Sequence, residues 1–347
     1  MKITSIVLLI LLESMLGAAL VWCQNSPTIE KLDPALGQIV PANAKIERVA
    51  GGFKWVEGPV WIHSGYLLFA EIPSNSIRKW TPGHGVSIFM QPSGYKGSAP
   101  YGGPEPGSNG MTLDREGRLT VAGHAQRDIW RLESLSPNAQ VTILADSYEG
   151  KRLNSPNDLV YKSDGSLYFT DPPYGLRTQS EHDPARQLSF NGVYRIPGAL
   201  QQKPGAPPAR AKLQLLIKNL TRPNGLAFSP DEKYLYVSNS EPKKLWMRYR
   251  VNPDGSLTDG VVFYDATAEK GPGNPDGMKV DQNGNIYAAA PGGLWIFSPQ
   301  GKRLGIIKFP GGRVGNCAWG GRDGKTLYIL AGTTIYRVRL KIPGIRP

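Results

Sequence analysis

Cysteine is almost missing from this chain: two residues in 347, Cys23 and Cys317. A disulfide-stapled scaffold is therefore excluded. Histidine is also scarce, with four residues, and no His or Cys is the opening residue of any of the six repeats described below. A metal site built on sulfur or imidazole is not indicated. The serine-hydrolase elbow Gly-x-Ser-x-Gly is absent, so a serine esterase is unsupported. Acids are outnumbered, with 28 Asp and Glu against 40 Lys and Arg, for a net charge of +12. What is abundant is punctuation. Gly and Pro number 41 and 30, about a fifth of the chain against a usual eighth. Both break helix interiors, so a helical bundle is disfavoured and many short strands are expected. With 40% hydrophobic and 9% aromatic residues, the chain can bury a core and is not disordered.

Residues 1–23 stand apart. Lys2 precedes an apolar run from Ile3 to Leu12, and small and apolar residues continue from Met15 to Val21. This reads as a secretory signal peptide, cleaved near Ala18–Ala19 or Val21–Cys23. A transmembrane anchor is the alternative, but Glu13 would place a charge near mid-span. Lipid attachment at Cys23 is a third option, against which stands the bulky Trp22. The expected location is secreted or periplasmic. Residues 24–44 are read as an N-terminal extension, and 45–347 as one domain.

One phrase recurs six times: an acid or amide, a small residue, an apolar strand, a turn, and a second apolar strand. The copies begin at Glu57, Asn109, Asn157, Asn224, Asp276 and Asn316, spaced by 52, 48, 67, 52 and 40 residues. The long gap locates an insertion around Gln201 to Lys212. Within each copy the strands flank hairpin turns such as SDG, QNG and RDG. Room remains for two more strands, as at VYRIPG and LWIFSP. Four strands repeated about every 50 residues predict a six-bladed β-propeller of the all-β class. Lys45 to Phe53 is expected to complete the last blade, closing the ring with N- and C-terminal strands. Two β-sandwiches would not produce six alike hairpins.

In a propeller the first strand of each blade lines the axis, so the six opening residues form a ring. Asn and Asp are ordinary turn residues, which accounts for part of the pattern, but Glu57 has poor turn chemistry. A ring of carboxylates and amides suits a hard divalent cation, Ca²⁺ first, with Zn²⁺, Mn²⁺ or Mg²⁺ as alternatives. A second tier is expected where the second strands end, at Glu71, His124, Asp171, Asn239, Ala290 and Gly332, whose side chains or loops would line the pocket mouth. Asp171-Pro172-Pro173-Tyr174-Gly175 is a stiff loop suited to walling a substrate, with Tyr174 as its aromatic.

Several motifs together resemble a known family: EGPVW at Glu57, SPNDLVY around Asn157, FTDPPYG at Phe169 to Gly175, RPNGLAFSPDE around Asn224, and NPDGMKVDQNGNIY around Asp276. In this order they are similar to the SMP-30/gluconolactonase/LRE-like propellers, related more distantly to diisopropylfluorophosphatases and paraoxonases. The resemblance spans residues 45 to 340. It implies one metal held by Glu57, Asn157, Asn224 and Asp276, Asn157 reaching it directly, through a water, or reaching substrate instead. It implies hydrolysis of a sugar lactone. Asn109 of the ring, Asn157 and Tyr174 of the stiff loop are the residues expected toward substrate. Asp276 is the first candidate base, with His124 or Asp171 as alternatives, because a carboxylate on a cation is a weaker base. Glu71 and Asn239 stand where the subgroup often has Asp, which bears on substrate identity.

Two other functions fit the same ring: an arylesterase or phosphotriesterase-like hydrolase, and a non-catalytic carbohydrate- or protein-binding propeller. The expected partner is a small molecule, a sugar lactone or related ester. The chain is expected to be a monomer without stable membrane association unless lipidated at Cys23. Basic residues are scattered rather than striped with aromatics, so no nucleic acid is expected.

Overall fold

A computed structural model describes residues 26–205 and 213–347. The signal peptide, Cys23 and part of the 201–212 insertion lie outside the described residues. Six antiparallel blades follow one another along the chain; the first four run outward from the axis in sequence order, and the last two gain an outermost strand from the N-terminal side. Blade I holds β3 to β6 (Val56–Ile62, Tyr66–Glu71, Ser76–Thr81 and Gly85–Met90), after β1 (Thr28–Lys31) and β2 (Ile46–Gly51). The first strands of blades II to VI are Met111–Leu113, Leu159–Tyr161, Pro223–Phe228, Met278–Val280 and Asn316–Gly320. Among the described residues the only helical turns are three short 3-10 segments.

The predicted closure is present. β2 pairs antiparallel with Thr334–Arg339, Ile46 opposite Val338, so the N-terminal side supplies the outermost strand of blade VI. The structure adds a strand in the stretch read as an extension. β1 pairs with Arg303–Lys308, Thr28 opposite Lys308, and becomes the fifth strand of blade V. Leu36, on the 3-10 turn after it, is buried in the apolar seam between blades V and VI.

Strand alternation sends side chains to both faces of each blade, and both faces are covered by neighbours. The core therefore divides into six apolar clusters, one per seam. Val60, Leu68, Met111 and Val121 fill the I–II seam, and Phe169 and Ile129 the II–III seam. Across the closing seam Trp61 stacks on Tyr328, ring centres 5.2 Å apart. Burial is greatest in inner strands; β3 is buried at all seven positions, whereas the outer β6 is mostly exposed.

Near the axis blades approach closely, which explains a Gly after several ring residues. A Cβ on Gly225 would lie 2.4 Å from the main-chain oxygen of Asp276 in the next blade; on Gly58 it would lie 2.0 Å from that of Asn109. Gly58 also has φ of +53°. Both contacts are to backbone, which cannot swing away. Gly225→Ala is therefore expected to cost about 1–3 kcal/mol, read as a lower urea midpoint with unchanged slope.

Candidate functional site

The inner strands deliver their opening residues to one end of the axis. Their backbones are fixed by hydrogen bonds: Asn109 N to Ala122 O at 3.0 Å, Asn157 N to Thr170 O at 2.9 Å, and Asp276 N to Ala289 O at 3.2 Å. Neighbouring blades are stitched together there as well, Gly110 N donating to Asn157 O at 2.7 Å and Gly277 N to Gly315 O at 2.8 Å.

A cavity of about 490 Å³ opens over this ring. Glu57, Asn109, Asn157, Asn224, Asp276 and Tyr174 all line it. The sixth ring member, Asn316, is turned below. It donates to Asp158 at 3.4 Å and accepts from Lys279 Nζ at 3.3 Å, forming a polar plug under the cavity floor.

Burial of Glu57, and secondly the charge of Asp276, pushes the Glu57 carboxyl well above the usual carboxylate range. Burial likewise raises Asp276, followed by the negative charges of Asp158 and Glu105. Among the described residues neither carboxylate has an ion-pair partner, although uncompensated buried charge is costly. Such a pair, with the Asn157 and Asn224 amide oxygens on the same cavity, is a donor set suited to a hard divalent cation. Among the described residues no group of three or more His, Cys, Asp or Glu side chains is placed to hold a metal. The candidate set here is two carboxylates and two amides.

The second tier reaches the cavity through its loops, at Ile72, Tyr174 and Ser240, rather than through the strand-end side chains. Glu71, His124, Asp171, Asn239, Ala290 and Gly332 do not line the cavity. The polar ones clamp the segments that lead into the ring. Glu71 accepts Lys54 N at 3.1 Å and is paired with Arg78. Asp171 accepts Asn154 N and Ser155 N at 2.8 and 2.7 Å. Asn239 accepts Arg222 N at 2.8 Å. Each partner lies two or three residues before Glu57, Asn157 or Asn224. The side chain at the end of the second strand turns toward the incoming segment, whose N–H groups need acceptors. Burial raises the Asp171 carboxyl to about 7, opposed by those two backbone bonds. As a candidate base Asp171 is thus misplaced, with both oxygens engaged away from the cavity.

His124 is fully buried, yet it reaches the cavity through one intermediary. Its Nε2 lies 2.8 Å from Glu105 Oε2, and its Nδ1 lies 3.0 Å from Pro156 O. Glu105 lines the cavity and was not singled out from sequence. It lies in the connection between β6 and blade II, outside the repeated phrase. The signal available was length: loops beyond about 12–15 residues are commonly functional, and this one spans 91–110. Tyr101 of the same loop donates to Gly175 O. Gln179 Nε2 donates to Glu105 Oε1 at 2.9 Å. Trp55, Ile72, Pro272 and Val314 supply apolar wall, and Lys244 and Arg313 also line the cavity. The Arg222 guanidinium sits 5.0 Å from the Tyr174 ring centre.

Comparison with known proteins identifies the family and the fold. The profile of the SMP-30/Gluconolactonase/LRE-like region matches residues 55–333. A gluconolactonase from Zymomonas mobilis is 42% identical over 325 residues, 91% of this chain and 87% of that protein. A crystal structure of a candidate gluconolactonase superposes with a TM-score of 0.78 at 30% identity, covering 92% of this chain and all of the other. A gluconolactonase from Xanthomonas campestris gives 0.74 at 28% identity, covering 91% and 97%.

Proposed function

The chain belongs to the SMP-30/gluconolactonase/LRE-like family, and on that premise we propose that it is a metal-dependent lactonase that opens a sugar lactone. The observation carrying this reading is the convergence of Glu57, Asn157, Asn224 and Asp276 on one cavity, in a chain 42% identical to a gluconolactonase. These four residues would hold one divalent cation, with Ca²⁺ favoured by the all-oxygen set. The chemistry supplied at that position is Lewis-acid polarisation of a carbonyl oxygen.

The remaining residues bind and orient. Asn109 offers an amide to ring hydroxyls. Tyr174 stands on a loop stiffened by Pro172 and Pro173, and its phenol, raised by burial, stays protonated and able to donate. Trp55, Ile72 and Val314 exclude water from the apolar side of a bound sugar. A cavity of about 490 Å³ is in the range of small-ligand sites.

Export is part of the proposal and rests on residues 1–23; the mass of the mature protein would show cleavage or lipidation. Acid release from glucono-1,5-lactone and a panel of lactones, aryl esters and phosphotriesters, with and without chelator, tests the activity. The expected result is turnover of a sugar lactone that chelator removes and Ca²⁺ restores. Preference for aryl esters or phosphotriesters would replace the substrate class. Absence of chelator-sensitive turnover on every substrate would falsify the enzyme reading.

A further inference from the structure

We propose that Glu105 is the proton-transfer residue of the hydrolysis and that His124 is the positioning residue that keeps it ionised and aimed into the cavity. This inference rests on the lactonase reading and names a group within that site. Glu105 is the third carboxylate lining the cavity. On the lactonase reading Glu57 and Asp276 would hold the cation, which leaves Glu105 as the lining carboxylate free to exchange a proton.

The proton inventory follows from the acceptors. Pro156 O is a carbonyl and can only accept. The 3.0 Å contact therefore assigns a hydrogen to His124 Nδ1. Nε2 then either accepts from a protonated Glu105 or, as imidazolium, donates to a Glu105 carboxylate across 2.8 Å. The second arrangement is favoured by the surroundings. Gln179 donates to Glu105 Oε1 at 2.9 Å, which favours the anion. Across the cavity Glu57 and Asp276 face Glu105, and Tyr101 lies near it on its own loop. Each Glu105 oxygen has one hydrogen-bond donor among the described residues and retains a further lone pair for a water.

The geometry is held from behind. A Cβ on Gly175 would lie 2.7 Å from the His124 ring, so the Asp171–Gly175 turn packs on the imidazole. Gly107 N donates to Ile72 O at 3.0 Å, and Tyr95 N to Pro106 O at 2.7 Å, fixing the backbone on the C-terminal side of Glu105. A base must be immobile relative to its water to contribute fully.

The step balances as follows. Glu105 takes a proton from water as the water oxygen bonds to the lactone carbonyl carbon, and the C=O π pair moves to the carbonyl oxygen. As that pair returns, the ring C–O bond breaks and its electrons go to the ring oxygen. Glu105 returns its proton there, forming a hydroxyl. The product hydroxy acid loses its own proton to solvent. His124 keeps both of its protons throughout.

Three measurements test this. Nitrogen-15 NMR of histidine-labelled protein at the pH of turnover should show His124 doubly protonated. Glu105→Gln should leave the proton on Nδ1 alone. A neutral His124 in the wild type would overturn the proposal, because the proton would then sit on Glu105. Glu105→Ala should lower kcat by about 10²–10⁴-fold with KM within a few-fold, and added formate should restore part of the loss. His124→Ala, which retains the Glu105 side chain but removes the partner that positions it, should lower kcat about tenfold with KM retained. Unchanged kcat in Glu105→Ala, or a loss that formate does not relieve, overturns the proposal and leaves the lactonase reading standing. A wild type inactive on every lactone and ester overturns both.

Discussion

Asp276→Ala should reduce sugar-lactone opening by about a thousandfold or more, because it removes one of two carboxylates from the only mixed carboxylate–amide ring found among the described residues. Loss of one well-placed electrostatic group typically costs 10²–10³ in kcat, and loss of a bound cation costs several kcal/mol of transition-state stabilisation. Three orders correspond to about 4 kcal/mol. The backbone of Asp276 should stay in place, since its N–H bonds Ala289 O at 3.2 Å and its carbonyl accepts Ser238 Oγ at 2.9 Å. Circular dichroism and gel filtration should therefore match the wild type. The informative comparison is with chelator. Wild type plus chelator should fall to the level of the variant, and the variant should not respond further. Retained turnover in the variant would remove Asp276 from the mechanism.

The second large effect concerns stability. Glu57 and Asp276 both have carboxyl groups raised in the folded state, chiefly by burial. In the unfolded chain they titrate near 4. Between that value and the raised one, the folded state holds more protons than the unfolded state, so stability falls as pH rises. In chelator, this pair contributes most below about pH 4 and progressively less above it. A divalent cation held by this pair, as proposed, would reverse the cost by adding positive charge beside them. At a hundred times its Kd it should add about 2.7 kcal/mol. The gap between Ca²⁺-loaded and chelated melting temperatures should therefore widen from pH 5 to pH 8. The double variant Glu57→Gln with Asp276→Asn should lose both the pH slope and the response to Ca²⁺. A gap that is absent at pH 8 would count against a cation on these residues.

Much of the fold was legible because a propeller repeats its own instructions. Six hairpins with the same opening chemistry identify six blades, and the leftover strand at 45–53 predicts closure with the last one. The ring was legible for the same reason: equivalent positions in a closed array must meet at the axis. Five of its six members do line the cavity. Asn316 does not, since its amide is drawn to Asp158 and Lys279 beneath. The tier at Glu71, Asp171 and Asn239 was located on the correct end of each blade, but it reaches the cavity through the loops that follow, at Ile72, Tyr174 and Ser240, and not through those three side chains. Repeat register says where a residue lies along a strand. It does not say whether its side chain meets solvent space or the unpaired N–H groups of the segment entering the ring.

Glu105 was invisible to the same reasoning because it has no counterpart in the other blades. A repeat analysis ranks positions by recurrence, and a singular loop has none. His124 was noticed for its place at a strand end, but its partners are Glu105, on the long loop entering blade II, and Pro156, which meets it only when blades II and III pack together.

By itself, then, the amino-acid sequence determined the architecture and the oxygen-rich ring, because both are periodic and local turn and strand chemistry sets each period. Tertiary structure alone decided which polar groups face the cavity and which clamp backbone. That choice depends on where unsatisfied donors and acceptors from different blades come within hydrogen-bonding reach, and no spacing along the chain encodes it.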